Sequence, residues 1–310
     1  MYDITSIGEL LIDLTQVGVN EQGVGLFAAN PGGAPANVAV AAARLGCRCS
    51  FLGKVGRDGF GDSLLHTLQS NGVDPSNVYR GEQATTMAVV TISPSGERSF
   101  RFLRGADQSL TVQEVAGTDL SHTKFLHFGS VSLTPGASRS ATLFAARQAR
   151  SAGALISYDP NFRPSLWDSR ESAVQWMALP LPLVDILKLS DEELPLIAHT
   201  SNLEKGTLEL SGLGVRLIMV TLGAKGVYYR WGDSTGLVPG VPVSVADTNG
   251  AGDTFLGAVL RCLALRPEGP LEQLQTPELE QILTFANRAA ALTCSRSGAI
   301  PAMPTLAELE

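Results

Sequence analysis

The chain has 310 residues, 44% hydrophobic and 17% charged, with a formal net charge of −7. That length buries a sizeable core, and the mix is that of a globular rather than a disordered chain. The acidic balance leaves no basic stripe to neutralise a phosphate backbone, which argues against a nucleic-acid partner.

The N-terminus, MYDITSIGELLIDL, lacks a basic leader and mixes acids among its apolar residues, so it reads as a strand and not a signal peptide. Cys47, Cys49, Cys262 and Cys294 form no Cys-x-x-Cys pair and have no His at metal spacing. No apolar run reaches bilayer length. Together these predict a cytoplasmic protein with reduced thiols and no membrane partner.

Along the chain, short apolar runs alternate with helix-patterned stretches. Strands are expected at Ile4–Ile7, Phe51–Val55, Phe125–Phe128, Leu155–Tyr158, Ile186–Leu189 and Leu217–Thr221. Helices are expected at Ala36–Leu45, Ser138–Ala152 and Glu278–Thr293, punctuated by Pro35, Gly46, Gly153 and Thr276-Pro277. The rhythm predicts an α/β fold whose mainly parallel sheet is covered on both faces, with ligands beyond the carboxyl ends of its strands. Met87–Ile92 and Arg98–Leu103 read as two strands around a Ser93-Pro94-Ser95-Gly96 turn. With the Gly-rich stretch from Thr15 to Asn30, they predict a small β flap beside the main sheet or an antiparallel edge of it.

The densest chemistry lies in Asp247-Thr248-Asn249-Gly250-Ala251-Gly252-Asp253 before an apolar helix. Gly250, Ala251 and Gly252 present consecutive N–H groups at a helix N-terminus, an anion hole strengthened by the helix dipole. Asp253 sits in the first turn, where that positive field is expected to keep its carboxylate ionised. A carboxylate base beside an anion hole suits attack of a hydroxyl on a phosphoryl group. As a bare motif it is equally a turn followed by a helix-start acid. Neither a Rossmann G-x-G-x-x-G, since Phe255 replaces the third Gly, nor a P-loop is present.

Three further segments are candidates. In Asn30–Asn37, Gly32 and Gly33 allow close backbone approach, and Asn37 and Asp13 offer polar groups to a polyol, or are a helix-start amide and a solvated acid. Thr221-Leu222-Gly223-Ala224-Lys225-Gly226 follows an apolar strand and would wrap phosphates or form a plain turn. Ser190-Asp191-Glu192-Glu193 is a Ser-x-x-Glu capping box in its own right.

Taken together, DTNGAGDTFLGAVL, PGGAPANVAVAAARLG, GKVGRDGFGDSL, HFGS, VTLGAKG and FANRAAAL resemble, in order and over nearly the whole chain, the ribokinase-like (PfkB) carbohydrate kinases. The resemblance implies one domain over the whole chain, a three-layer αβα sandwich with a β-sheet lid from about 13–31 and 86–104. It implies ATP as donor, Mg2+ as cofactor and a small sugar as acceptor. Position by position, Asp253 becomes the base and Gly250, Ala251 and Gly252 the anion hole. Asp13, Gly32, Gly33 and Asn37 become sugar contacts, while Thr221, Gly223, Gly226 and Asn287 become ATP contacts. Asp247 with the carbonyls of Asn249, Arg296 and Gly298 matches a monovalent-cation (K+) site. The family's Asn-x-x-Glu, linked to Mg2+ and phosphate, reads Ser190-x-x-Glu193, with Lys188 placed to compensate.

GELLIDL, ERSFRFLRGAD, YDPNFRPSLW and KLSDEEL are similar to the bacterial fructokinase branch. Arg104 and Arg163 are then phosphate or sugar contacts, or surface ion pairs. Kinases for 2-keto-3-deoxygluconate or aminoimidazole riboside, and a sugar-sensing protein without turnover, are the competing readings. The lid strands imply a possible homodimer, unless charges such as Arg98 and Arg101 protect the edge.

Overall fold

The computed structural model describes residues 1–92 and 98–310. Strand β1 (Tyr2–Ile7) leads into a hairpin of β2 (Leu11–Val19) and β3 (Gly25–Gly32). Helix α1 (Ala34–Arg44) follows Gly33 and carries Pro35 in its first turn, where a missing N–H leaves no bond unmade. Next come β4 (Cys49–Gly56), α2 (Gly59–Ser70) and β5 (Val73–Gly81). The Asp58 carboxylate caps α2 by accepting the Gly61 N–H at 2.8 Å. Strands β6 (Met87–Ile92) and β7 (Arg98–Leu103) pair antiparallel from Met87–Leu103 to Ile92–Arg98. The turn expected at Ser93–Gly96 lies outside the described residues.

The second half alternates more regularly. It runs α3 (Val112–Ala116), β8 (Thr123–Gly129), α4 (Ala137–Ser151), β9 (Leu155–Asp159), α5 (Arg170–Ala178) and β10 (Ile186–Ser190). Helices α6 (Leu194–Ile197) and α7 (Leu203–Gly212) then lead to β11 (Leu217–Thr221). The chain turns back through β12 (Val227–Trp231) and β13 (Ser234–Val238) before α8 (Ala251–Ala264) and α9 (Thr276–Cys294).

The main sheet has nine strands in the order β13-β12-β11-β10-β9-β8-β1-β4-β5, parallel except for β12 and β13. Neighbouring residues of one strand enter different cores. Ile186 and Leu217 pack with α1, α8 and α9, whereas Leu187 and Ile218 pack with α4, α5 and α6. Three layers follow, because both sheet faces are apolar and each needs a helical cover.

The flap is a separate four-stranded sheet, order β3-β2-β6-β7, and not an edge of the main sheet. Its two hairpins join through a parallel β2–β6 pairing, Ile12–Met87 to Thr15–Val90. From β1 the chain builds β4 and β5 on one side, then returns through the small sheet to add β8 on the other side of β1. In such sheets the carboxyl ends around that reversal form the ligand crevice.

Candidate active site

A cavity of about 580 Å³ opens at these carboxyl ends, walled by residues after β1, the small sheet, the start of α1 and the start of α8. Gly250 caps α8 in the left-handed region, φ 77°, and a Cβ there would lie 3.1 Å from Ala299. Only glycine meets both demands without strain. Beside it, a Cβ on Gly252 would stand 3.0 Å from the Lys188 ammonium. The helix N-terminus, its dipole and a lysine therefore converge on one point, which suits a phosphoryl group.

Asp253 is buried in this first turn. The Asn37 amide donates to its Oδ2 at 2.8 Å, tying α1 to α8, and the Asn161 amide approaches Oδ1 at 3.5 Å. Burial pushes Asp253 up to about 6, with Asp159 adding to the rise, against the Asn37 bond, Lys188 and Arg163. Desolvation, which the sequence reading left out, thus raises the pKa of the carboxylate expected there. At neutral pH the group is still mostly ionised, yet basic enough to take a hydroxyl proton.

Lys188 and Asp159 form a buried pair at 2.8 Å. Burial pulls the Lys188 ammonium down, but Asp159, Glu193 and Asp253 together outweigh it and raise its pKa, so it remains a cation. Asp13 lines the cavity, and burial pushes it up to about 6 against the charge of Arg163. A Cβ on Gly32 would stand 2.4 Å from the Asp13 carboxylate, and one on Gly33, at φ 110°, would stand 2.4 Å from the Glu9 carbonyl. The paired glycines are what allow the carboxylate and the backbone of the chain after β1 to lie against this loop.

Gly33, Asn37, Asp13, Arg163, Lys188, Asp247, Asn249, Gly250, Gly252 and Asp253 thus all line the same cavity. Arg104 does not join them. Its guanidinium stands 2.8 Å from Asp107 and donates to Thr134 Oγ1 at 2.7 Å and the Val131 carbonyl at 3.2 Å. The ion-pair alternative holds for Arg104, as a buried pair instead of a surface one.

Ser190 and Glu193 form the reciprocal bonds of a capping box. Glu193 Oε2 accepts the Ser190 N–H at 2.8 Å and Ser190 Oγ accepts the Glu193 N–H at 3.2 Å. Glu193 Oε1 also accepts the Phe162 N–H at 2.6 Å, which fixes the loop that carries Asn161. In the loop after β11, the Thr221 hydroxyl donates to the Leu189 carbonyl, and Gly223 and Gly226 have φ of 57° and 102°. A Cβ on Gly226 would stand 2.1 Å from the Val238 carbonyl. The Asn287 amide donates to the Pro239 carbonyl at 2.9 Å, holding the loop after β13 against α9. Asp247 joins two loops, accepting the Asn249 and Gly298 N–H groups at 3.1 Å each, whereas the Arg296 guanidinium points to Glu308 at 2.6 Å.

Sequence reasoning missed Glu9, Asp159 and Asn161. All three lie in strings quoted above, but their roles depend on contacts across the fold. Asn161 has φ 45°, in the left-handed region that non-glycine residues rarely occupy. Such strain at a cavity wall marks a position worth testing.

A base, an anion hole and a cation around one cavity define a phosphotransferase acting on a hydroxyl group. The comparisons agree: the model of the pfkB family carbohydrate kinases matches residues 1–306, and the chain belongs to that family. It is 41% identical to a protein of Oryza sativa subsp. japonica called Fructokinase-1, over 99% of this chain and 96% of that one. Among solved structures, a Xylella fastidiosa fructokinase with bound ATP superposes with a TM-score of 0.91 at 34% identity, covering 100% of this chain and 97% of the other. A double mutant of the Vibrio cholerae O395 fructokinase, with fructose, ADP and potassium ion bound, gives 0.88 at 33% identity, covering 99% and 97%. The chain is a carbohydrate kinase, with the ribokinase-like architecture expected from its sequence.

Proposed function

We propose that the protein is a cytoplasmic fructokinase, transferring the ATP γ-phosphate directly to a fructose hydroxyl without a phosphoenzyme. The observation that carries the chemistry is the buried Asp253 carboxylate, fixed by Asn37 at 2.8 Å, in the same turn as the Gly250–Gly252 amides. Fructose is favoured among sugars by about 40% identity to proteins called fructokinases over nearly the full chain. Asp13, Gly33 and Asn37 orient the sugar so that one hydroxyl faces Asp253, which takes its proton. The Gly250–Gly252 amides and Lys188 balance the charge that develops on the moving phosphoryl group. Thr221, Gly223 and Gly226 belong to the loop that receives the nucleotide.

Among the described residues, no group of three or more His, Cys, Asp or Glu could hold a metal ion. Mg2+ would therefore arrive on the nucleotide phosphates, with Glu193 as the protein carboxylate nearest in role, and would neutralise phosphate charge. Asp247 and the carbonyls of Asn249, Arg296 and Gly298 offer hard oxygens to K+ beside the anion hole.

A coupled ADP-release assay with Mg-ATP tests the reading. Fructose is expected to exceed 2-keto-3-deoxygluconate, ribose, glucose and aminoimidazole riboside, with faster turnover in K+ than in tetramethylammonium. ATP hydrolysis without sugar should be negligible, because the small sheet acts as a lid that excludes water. Preference for the keto acid would reassign the substrate, and absence of turnover on every sugar would return the protein to a sensing role.

The same sheet supports a homodimer. On β2, β3 and the turn between them, Val17, Val19, Val24, Leu26 and Phe27 are all exposed, between 44% and 65%. An apolar, hydrogen-bonding surface of this kind is a ready partner for a second copy. Light scattering is expected to give twice the mass of the 32.6 kDa chain, falling to one chain for Phe27→Asp. A monomeric wild type would remove this proposal.

Among the described residues, no helix is long and apolar enough to cross a membrane.

A further inference from the structure

Glu9 lies two residues beyond β1, the strand that stands between β4 and β8 where the direction of winding reverses, and is 3% exposed while lining the cavity. Its Oε1 accepts the Ala34 N–H at 3.1 Å, anchoring the first residue of α1. Its Oε2 is buried and has no hydrogen-bond partner among the described residues. A buried carboxylate oxygen left this way is costly, and such groups in folded proteins nearly always meet a donor.

Asn37 repeats the pattern. An ionised carboxylate only accepts, so the Asn37 amide nitrogen must face Asp253, as it does at 2.8 Å. That leaves Asn37 Oδ1 as a second buried acceptor without a partner among the described residues. Two acceptors on one cavity wall match a ligand that brings hydroxyl donors.

The cation beside Glu9 is not available to a ligand. Arg104 is held by Asp107, Thr134 and the Val131 carbonyl, and Asp107 in turn accepts the Thr86 hydroxyl. Arg163, which does line the cavity, acts on two other acids, Asp13 and Asp253. The charges that act on Glu9 are those of Asp107 and Arg104.

We propose that Glu9 is a further substrate-binding and specificity residue, whose free oxygen accepts a hydroxyl of a neutral sugar and whose charge repels sugar acids. The idea rests on the sugar-kinase reading above and deepens it by naming the substrate class. A polyol satisfies Glu9 Oε2 and Asn37 Oδ1 with donors. A carboxylate-bearing substrate offers an acceptor to an acceptor, with Arg104 already neutralised by Asp107. Burial, reinforced by Asp107, pushes the Glu9 carboxyl up to about 7, and a donated hydroxyl favours its ionised form.

The test compares wild type with Glu9→Gln, which keeps the shape and the bond to Ala34 but replaces one acceptor by a donor. KM for fructose is expected to rise by about 10- to 100-fold, the range for a hydrogen bond to a charged group. The change in kcat should be smaller, KM for ATP should not move, and the preference for fructose over 2-keto-3-deoxygluconate should fall at least about tenfold. A fructose KM and sugar preference equal to wild type, in a variant that melts like wild type, would overturn the inference alone. A wild type that prefers the keto acid would overturn the fructose reading and this inference together. If the variant fails to fold, a crystal of the wild-type protein with fructose decides. A sugar hydroxyl within about 3.2 Å of Glu9 Oε2 supports the assignment, and none within about 4 Å refutes it.

Discussion

Replacing Asp253 by Asn is expected to lower kcat by about 100- to 10,000-fold, the usual contribution of a positioned general base. The sugar and ATP should still bind, because Asp13, Gly33, the amides before α8 and Lys188 remain in place. The variant keeps the size of the side chain and its place in α8, so loss of fold is not the expected cause. In the wild-type enzyme the base is the ionised form, and its pKa is raised to about 6 by burial. The working form is therefore complete above that value and disappears as pH falls through it. Asp13, also raised to about 6, steepens the same acid limb. A kcat/KM profile that stays flat to about pH 5 would contradict a base of this kind, as would near-normal turnover in Asp253→Asn.

The second large effect is expected for Lys188→Met. The variant leaves Asp159 buried without its cation, and breaking such a pair from one side costs about 3–5 kcal/mol. Turnover should also fall, by about 100- to 1,000-fold, because the ammonium beside Gly252 no longer balances the phosphoryl charge. The two effects separate in the double variant Lys188→Met with Asp159→Asn. Removing the orphaned charge should restore much of the stability, read as the urea midpoint, but none of the turnover. A single variant that unfolds at the wild-type midpoint would show that the buried pair contributes no more than its isostere.

The parts of the fold legible in the sequence are those where period and composition agree. Ile186–Leu189 and Leu217–Thr221 are continuous apolar runs because strands buried on both faces need no alternation, and both are parallel strands of the main sheet. Pro35, Gly46 and Gly153 marked helix ends that the structure retains. The strands Met87–Ile92 and Arg98–Leu103 were also visible, as was their union with the Thr15–Asn30 stretch in one small sheet, but the parallel direction of the joining pair was not. The parallel β2–β6 pairing joins segments more than 60 residues apart and leaves no local trace. Nor was the β12–β13 hairpin at the sheet edge anticipated, where Val227–Trp231 pairs back on β11.

The site shows the same division. Gly250, Gly252, Asp253 and Asn37 were readable, because a helix N-terminus is a local object. The sign of the Asp253 shift was not, since burial comes from the walls that close around it. Arg104 was open between a ligand contact and an ion pair, and the partner it has, Asp107, lies only three residues on. The Ser190-x-x-Glu193 capping box was readable because it too is local, and both of its reciprocal bonds form.

The bond between Asn37 and Asp253 joins residues 216 apart in the chain. Vectorial synthesis therefore delivers the sugar motif long before the base and the anion hole. A polypeptide cut between α1 and β10 contains Asp13, Gly33 and Asn37 but lacks both Lys188 and the Gly250–Asp253 turn. A nascent chain at that stage holds one partner of the Asn37–Asp253 bond and not the other, so this link between α1 and α8 forms only late in synthesis.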